Sequence, residues 1–277
     1  MNRIVSMKQR VITAVIALIL FIPIVLAGGL WMDWLTVLFA AVGISEIFLM
    51  KKQLLISFDF VLALLATLTW TVPDSFFKVF PSNITKLGVF YGIVMIFLTW
   101  TVLSKNKTTF DDVGVYVLAA LYIGLGFHYM AAIRAYPQNG LALLGYVFVV
   151  VWSTDIGAYM IGRKIGKHKL WPVISPNKTW EGSIGAVICA LIFSAIYLAI
   201  LSHFNITFGV SELSMVGLAF ILSIVGQMGD LVESAYKRFY GVKDSGKILP
   251  GHGGILDRFD SMLFVLPVVA AILGIVH

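Results

Sequence analysis

Nine stretches of mostly apolar residues, each bounded by charged or turn-forming residues, follow one another at roughly 11–31, 33–50, 57–73, 85–103, 112–133, 140–161, 182–203, 212–235 and 255–276. Their lengths approach the ~20 residues that a helix needs to cross about 30 Å of hydrocarbon. They lack the strict two-residue alternation of barrel strands, and a backbone in lipid must satisfy its own amides, so the pattern predicts helices. The expected fold class is all-α, a polytopic helical membrane protein with about nine transmembrane helices.

Composition points the same way. Of the 277 residues 60% are hydrophobic and 12% charged, which a water-soluble domain would have to display as large apolar patches. The single cysteine, Cys189, excludes a disulfide framework or a thiolate metal cluster and reads as packing. Arg3, Lys8 and Arg10 precede the first run and Ala27-Gly28-Gly29 ends it, the outline of a signal peptide. The apolar core is too long for one, and retention as a first membrane helix is expected.

With the amino end in the cytoplasm, 17 of the 20 Lys and Arg residues fall on the inner side and three, Lys78, Lys86 and Arg134, fall outside. This bias predicts a cytoplasmic N-terminus and an outer C-terminus at His277. The net charge of +6 then reflects topology and attraction to anionic lipid, not nucleic-acid binding.

Polar chemistry is uneven along the chain. Residues 1–110 read as N-terminal transmembrane helices without a recognisable motif, whereas 111–277 carry two basic loops, at about 162–181 and 237–254, both expected on the cytoplasmic side. In the eighth run, Asp230, Glu233, Ser234 and Lys237 share one helical face. A carboxylate inside a span costs about 2.5–3.5 kcal/mol, so two of them call for a partner, water or a metal, and a polar face lining a cavity is favoured over a snorkelling helix end.

Directly downstream, Lys237, Arg238, Lys243 and Lys247 are interleaved with glycines up to Pro250-Gly251-His252-Gly253-Gly254. Glycines let backbone N–H groups approach an anion, and cationic side chains supply countercharge, so the segment resembles a phosphate cradle. Asp257 and Asp260 follow at the start of the ninth run. Asp257 and Asp230 are expected to converge on one cation, and hard oxygen ligands imply magnesium or a similar ion. A local Asp257–Arg258 ion pair, or a plain helix start, is the alternative.

In the other basic loop, Gly162 to Lys169 has the wrong spacing for a Walker loop. Ser175-Pro176-Asn177-Lys178-Thr179-Trp180-Glu181-Gly182 fits a helix start with Lys178 near its amide-rich end. Asp155, deep in an apolar run, is either a site ligand or half of a structural ion pair. Glu46 poses the same problem without a surrounding motif and stays unassigned; His128 and His203 read as interfacial or packing residues.

These residues resemble the phosphatidate cytidylyltransferases, or CDP-diacylglycerol synthases. The family's carboxy-terminal signature is matched from Ser234 through Lys237-Arg238, Lys243-Asp244, Gly246, Leu249-Pro250, His252-Gly253-Gly254 and Ile255 to Asp257-Arg258-Phe259-Asp260. Upstream, Asp155-x-Gly157-Ala158-Tyr159, Ser175 to Gly182 and Gly229-Asp230-x-x-Glu233-Ser234 are also similar to family motifs. Tyr236 departs from the aliphatic residue or phenylalanine usual there, off the Asp230/Lys237 face.

The resemblance implies transfer of a cytidylyl group from CTP to phosphatidic acid, giving CDP-diacylglycerol and pyrophosphate, with Mg2+ and room for a second cation. It implies a bacterial inner membrane location, an active site facing the cytoplasm, and CTP, phosphatidic acid and membrane lipid as partners; a homodimer is left open. The catalytic candidates are Asp230, Asp257, Lys237, Arg238, Lys243 and Lys178. Substrate contacts are expected from Lys247, His252, Gly253, Gly254, Arg258, Ser175, Asn177 and Glu181, and metal ligation from Asp230 and Asp257, assisted by Glu233 and Asp260. A membrane lipid kinase is the alternative on chemistry. An anionic-solute transporter is disfavoured because the charges gather at one edge and the two halves are dissimilar, and a CDP-alcohol phosphatidyltransferase because its aspartate spacing is missing.

Overall fold

A computed structural model describes residues 7–79, 81 and 83–275. The expected orientation rests partly on Arg3 and His277, which lie outside the described residues. The elements in chain order are α1 (Met7–Ala27), α2 (Gly29–Met50), α3 (Phe58–Thr71), α4 (Asp74–Phe77), α5 (Lys86–Leu103), α6 (Phe110–Arg134) and α7 (Gly140–Ile165). Then come β1 (Lys169–Trp171), β2 (Ser175–Thr179), α8 (Trp180–His203), α9 (Glu212–Phe239) and α10 (Leu256–Leu273). The all-α membrane class holds.

Each of the nine apolar runs corresponds to one helix among the described residues, and seven of these are long and apolar enough to cross a membrane. Of the other two, α3 has only 14 residues and α10 opens on Asp257, Arg258 and Asp260. The first break falls earlier than the sequence pattern predicts. Gly28 and Gly29, at φ 65° and 53°, end α1 and start α2, because glycine adopts this left-handed geometry without steric cost. Asp33 therefore lies inside α2 instead of marking its start.

The chain forms two compact units. One comprises the described residues up to Ala131 together with Asp244–Arg258; the other comprises Ala132–Lys243 and the described residues from Phe259 onward. In the first, α2 packs on α1 and α3, and α3 on α5. Phe48 stacks on Tyr116 with ring centroids 4.6 Å apart, and Gly43 gives room to Ile123 and Leu256. The broad exposed apolar face of α1, including Val11, Ile16 and Ile19, suits contact with lipid tails.

In the second unit α7 packs along α8 and α9. Small residues set how close the helices come, as is usual where lipid removes the hydrophobic drive for association. A Cβ on Gly182 would lie 2.8 Å from the Ala158 carbonyl oxygen and 3.0 Å from Gly162 Cα, so at this point backbone meets backbone. Thr154 on α7 donates to Ser223 on α9 at 3.0 Å, satisfying two buried hydroxyls.

The loop expected between α7 and α8 contains an element the apolar pattern did not reveal. β1 and β2 pair antiparallel, Lys169 opposite Thr179 and Trp171 opposite Ser175. Thr179 ends the hairpin and caps α8, accepting a hydrogen bond from Gly182 N at 3.2 Å. The helix start expected before Trp180 is thus where the sequence places it.

Candidate active site

The second unit holds a cavity of about 510 Å³ at the end of α7, roofed by the hairpin and walled by α8 and α9. Its polar lining includes Asp155, Arg163, Lys169, Asn177, Lys178 and Asp230. Lys178 Nζ lies 2.7 Å from Asp230 Oδ2, both half-buried. Ser234 Oγ donates to Asp230 Oδ1 at 3.3 Å. The structure thus joins a lysine from the first basic loop to a carboxylate of the eighth apolar run. Sequence reasoning missed Arg163 and Lys169 as lining residues, having set them aside with the rejected Walker match.

Local contacts hold the hairpin over this cavity. Glu181 Oε2 accepts from the backbone N–H groups of Lys167 and His168 at 3.1 and 3.2 Å, and its Oε1 lies 2.5 Å from His168 Nδ1. Arg238 Nε donates to the Ile174 carbonyl in the hairpin turn at 3.3 Å. Ser175 is a paired strand residue, and Asn177 is exposed at the cavity wall. Glu181 and Arg238 therefore shape the loop, whereas Lys178 and Asn177 line the cavity.

One turn beyond Asp230, Glu233 is fully buried and receives Lys237 Nζ at 2.7 Å. Asp260, half-buried on α10, hydrogen-bonds with Glu233 and lies within electrostatic reach of Asp230 and Lys237. Glu233, Lys237 and Asp260 form a charge network behind the cavity. Among the described residues, no group of three or more His, Cys, Asp or Glu side chains is arranged as a ready-made metal cage.

Asp257 belongs to the first unit and does different work there. Its Oδ2 accepts from Ser245 N at 2.8 Å, Ser245 Oγ at 2.9 Å and Gly254 N at 2.8 Å. Arg258 donates through Nε to the His252 carbonyl at 3.0 Å. The segment closes on itself through a bridge between Leu249 and Gly253. Gly253, at φ 84°, presses against Asp257, so glycine is required there by both conformation and space. Gly254 N–H is given to Asp257, while Lys243 in the second unit and Lys247 in the first are exposed.

The cytidylyltransferase family model matches residues 8–276. The chain is 45% identical over 271 residues to a phosphatidate cytidylyltransferase of Bacillus subtilis (strain 168), covering 98% of this chain and 99% of that relative. It is 46% identical over 267 residues to one of Staphylococcus haemolyticus (strain JCSC1435) and 42% over 268 residues to one of Staphylococcus aureus (strain COL). In both, 96% of this chain and 99% of the relative are aligned. The chain belongs to the cytidylyltransferase family.

It is accordingly a nucleotidyltransferase enzyme, and its apolar helices make it a membrane protein. A nucleotidyltransferase must hold polyphosphate charge, and the cationic side chains of Arg163, Lys169 and Lys178 line the same space as the carboxylate of Asp230.

Proposed function

We propose that this chain condenses CTP with phosphatidic acid to give CDP-diacylglycerol and pyrophosphate, with the cavity of the second unit as the seat of phosphate binding. The observation that carries this reading is the Lys178–Asp230 pair, a cation and a carboxylate 2.7 Å apart at the wall of a basic cavity in a cytidylyltransferase. A phosphate monoester has a second pKa near 6, so the lipid phosphate is largely a dianion at neutral pH and attacks without a dedicated base. Its oxygen forms a bond to the α-phosphorus of CTP as the bond from that phosphorus to the β-phosphate oxygen breaks, and pyrophosphate leaves. Catalysis is then positioning and charge neutralisation, with Lys178, Lys169 and Arg163 holding phosphate oxygens against their mutual repulsion.

The residues fit a divalent metal. Asp230 offers hard carboxylate oxygens at the cavity, the donor type that Mg2+ prefers. We take Asp230 as its ligand, with Glu233 and Asp260 of the same unit supporting from behind. When bound, the metal supplies neutralisation of triphosphate charge. Titrating Mn2+ while following its EPR signal tests this without turnover: Asp230→Asn should weaken binding, and unchanged binding removes that ligand. We also place the protein in the bacterial inner membrane with the cavity open to the cytoplasm, supported by the distribution of Lys and Arg.

The deciding assay supplies purified protein in detergent with Mg2+, phosphatidic acid and either CTP or ATP. The expected products are pyrophosphate and a CDP-lipid from CTP alone. A phosphorylated lipid from ATP, and nothing from CTP, would replace this reading with that of a lipid kinase.

A further inference from the structure

Glu46 lies on α2, in the half of the chain without motifs, and is 2% exposed. A buried carboxylate is costly unless its oxygens are hydrogen-bonded. Oε1 accepts from Ile255 N at 2.8 Å, and Oε2 accepts from Leu256 N at 2.9 Å and Ser245 Oγ at 2.9 Å. Two of the donors belong to the segment between α9 and α10 and the third to the first residue of α10, 199 to 210 residues further along the chain. Two consecutive backbone N–H groups at a helix start are thus capped by a side chain from another helix.

The glycines of that segment record the same contact. A Cβ on Gly246 would stand 2.7 Å from Glu46 Oε1, and one on Gly254 would collide with both Glu46 Oε1 and Ser245 Oγ. These two glycines make room for the Glu46 carboxylate. The Ser245 hydroxyl lies 2.9 Å from Glu46 Oε2 and equally far from Asp257 Oδ2, so one side chain bridges two carboxylates. Within this anchored segment, Lys247 is exposed and His252 half-exposed.

We propose that Glu46 is a positioning residue for nucleotidyl transfer: its carboxylate fixes the backbone of residues 245–256, and through it the side chains of Lys247 and His252. This rests on the reading of the protein as a CTP-dependent enzyme. Glutamine is the sharp substitution, because it replaces one of two acceptor oxygens with a donor. Whichever way the amide turns, at least one N–H of Ile255 or Leu256 then faces another N–H.

The test combines amide hydrogen exchange with kinetics on Glu46→Gln and Ser245→Ala, the full-length protein being purified in detergent. In Glu46→Gln, exchange at residues 245–256 should accelerate about 10- to 100-fold while α7 and α8 keep wild-type rates, the scale expected for losing a hydrogen bond to a charged group. In the same protein kcat/KM for CTP per folded molecule should fall by about 10-fold or more. Ser245→Ala leaves both N–H contacts of Glu46 in place, so it should show the same signature at smaller amplitude even if Glu46→Gln fails to fold. Wild-type exchange in both variants would overturn the anchor. Faster exchange with unchanged kcat/KM would reduce Glu46 to a structural residue and overturn the positioning role. If the wild-type protein itself makes no CDP-lipid, the functional reading fails, and faster local exchange still supports the anchored segment.

Discussion

The two units each carry carboxylates in or beside membrane helices, and they use them in opposite ways. In the first, Glu46 and Asp257 are satisfied by backbone N–H groups and by Ser245, donors that cannot leave without unfolding the segment. In the second, Asp230 is held by a lysine side chain at the wall of a cavity, a partner that can swing away when a phosphate arrives. A charge in a hydrophobic run therefore marks a site only when its partner is exchangeable and the space beside it is open. Glu233 tests the distinction, since it shares a helix with Asp230 yet is fully buried against Lys237.

The largest effect should come from breaking that buried pair. Lys237→Met leaves the Glu233 carboxylate without its countercharge and should cost about 3–5 kcal/mol of stability, read as loss of folded protein in a detergent melting experiment. A melting temperature within a degree or two of wild type would move Glu233 to the exchangeable class. Asp230→Asn should lower kcat/KM about 10²- to 10³-fold, the scale for removing one electrostatic contact to the reacting groups, with an unchanged melting temperature. A stability loss instead would erase the contrast with Asp257. Gly254→Ala should destabilise by about 1–3 kcal/mol through overpacking against Glu46 and Ser245, measured in the same melt. The smallest change is Thr179→Ala, where loss of the α8 cap should cost about 1 kcal/mol and raise amide exchange at Gly182.

Much of the architecture was legible because lipid simplifies the code. A span must be apolar and internally hydrogen-bonded, so each run betrays one helix, and the α8 cap at Thr179 was readable from local residue types. The break at Gly28 and Gly29 was less so, since apolar residues resume at once at Leu30, Trp31 and Met32 and only the backbone changes course at the two glycines. The β1–β2 hairpin escaped because strands of three and five residues rich in Lys, Asn and Pro carry no usable alternation. The cavity residues Asp230, Lys178 and Asn177 stood out by chemistry, but the pairing of Lys178 with Asp230 crosses elements and has no local signal. Glu46 is the clearest case: its anomaly was plain, yet its partners lie near the other end of the chain. The glycines around His252 suggested an anion cradle, and nothing local distinguishes a glycine that admits phosphate from one that admits a neighbouring carboxylate.

The close approach of Gly162 and Gly182 has one more consequence. Where α7 and α8 touch main chain to main chain, the cavity lining carries no side chain at Gly162 or Gly182, so no change of rotamer can remould that point. Accommodation to a differently shaped guest falls to the side chains around that point, Tyr159 and Arg163 of α7, Lys169 and Lys178 of the hairpin and Gln227 of α9, and variants that retune selectivity should be sought there.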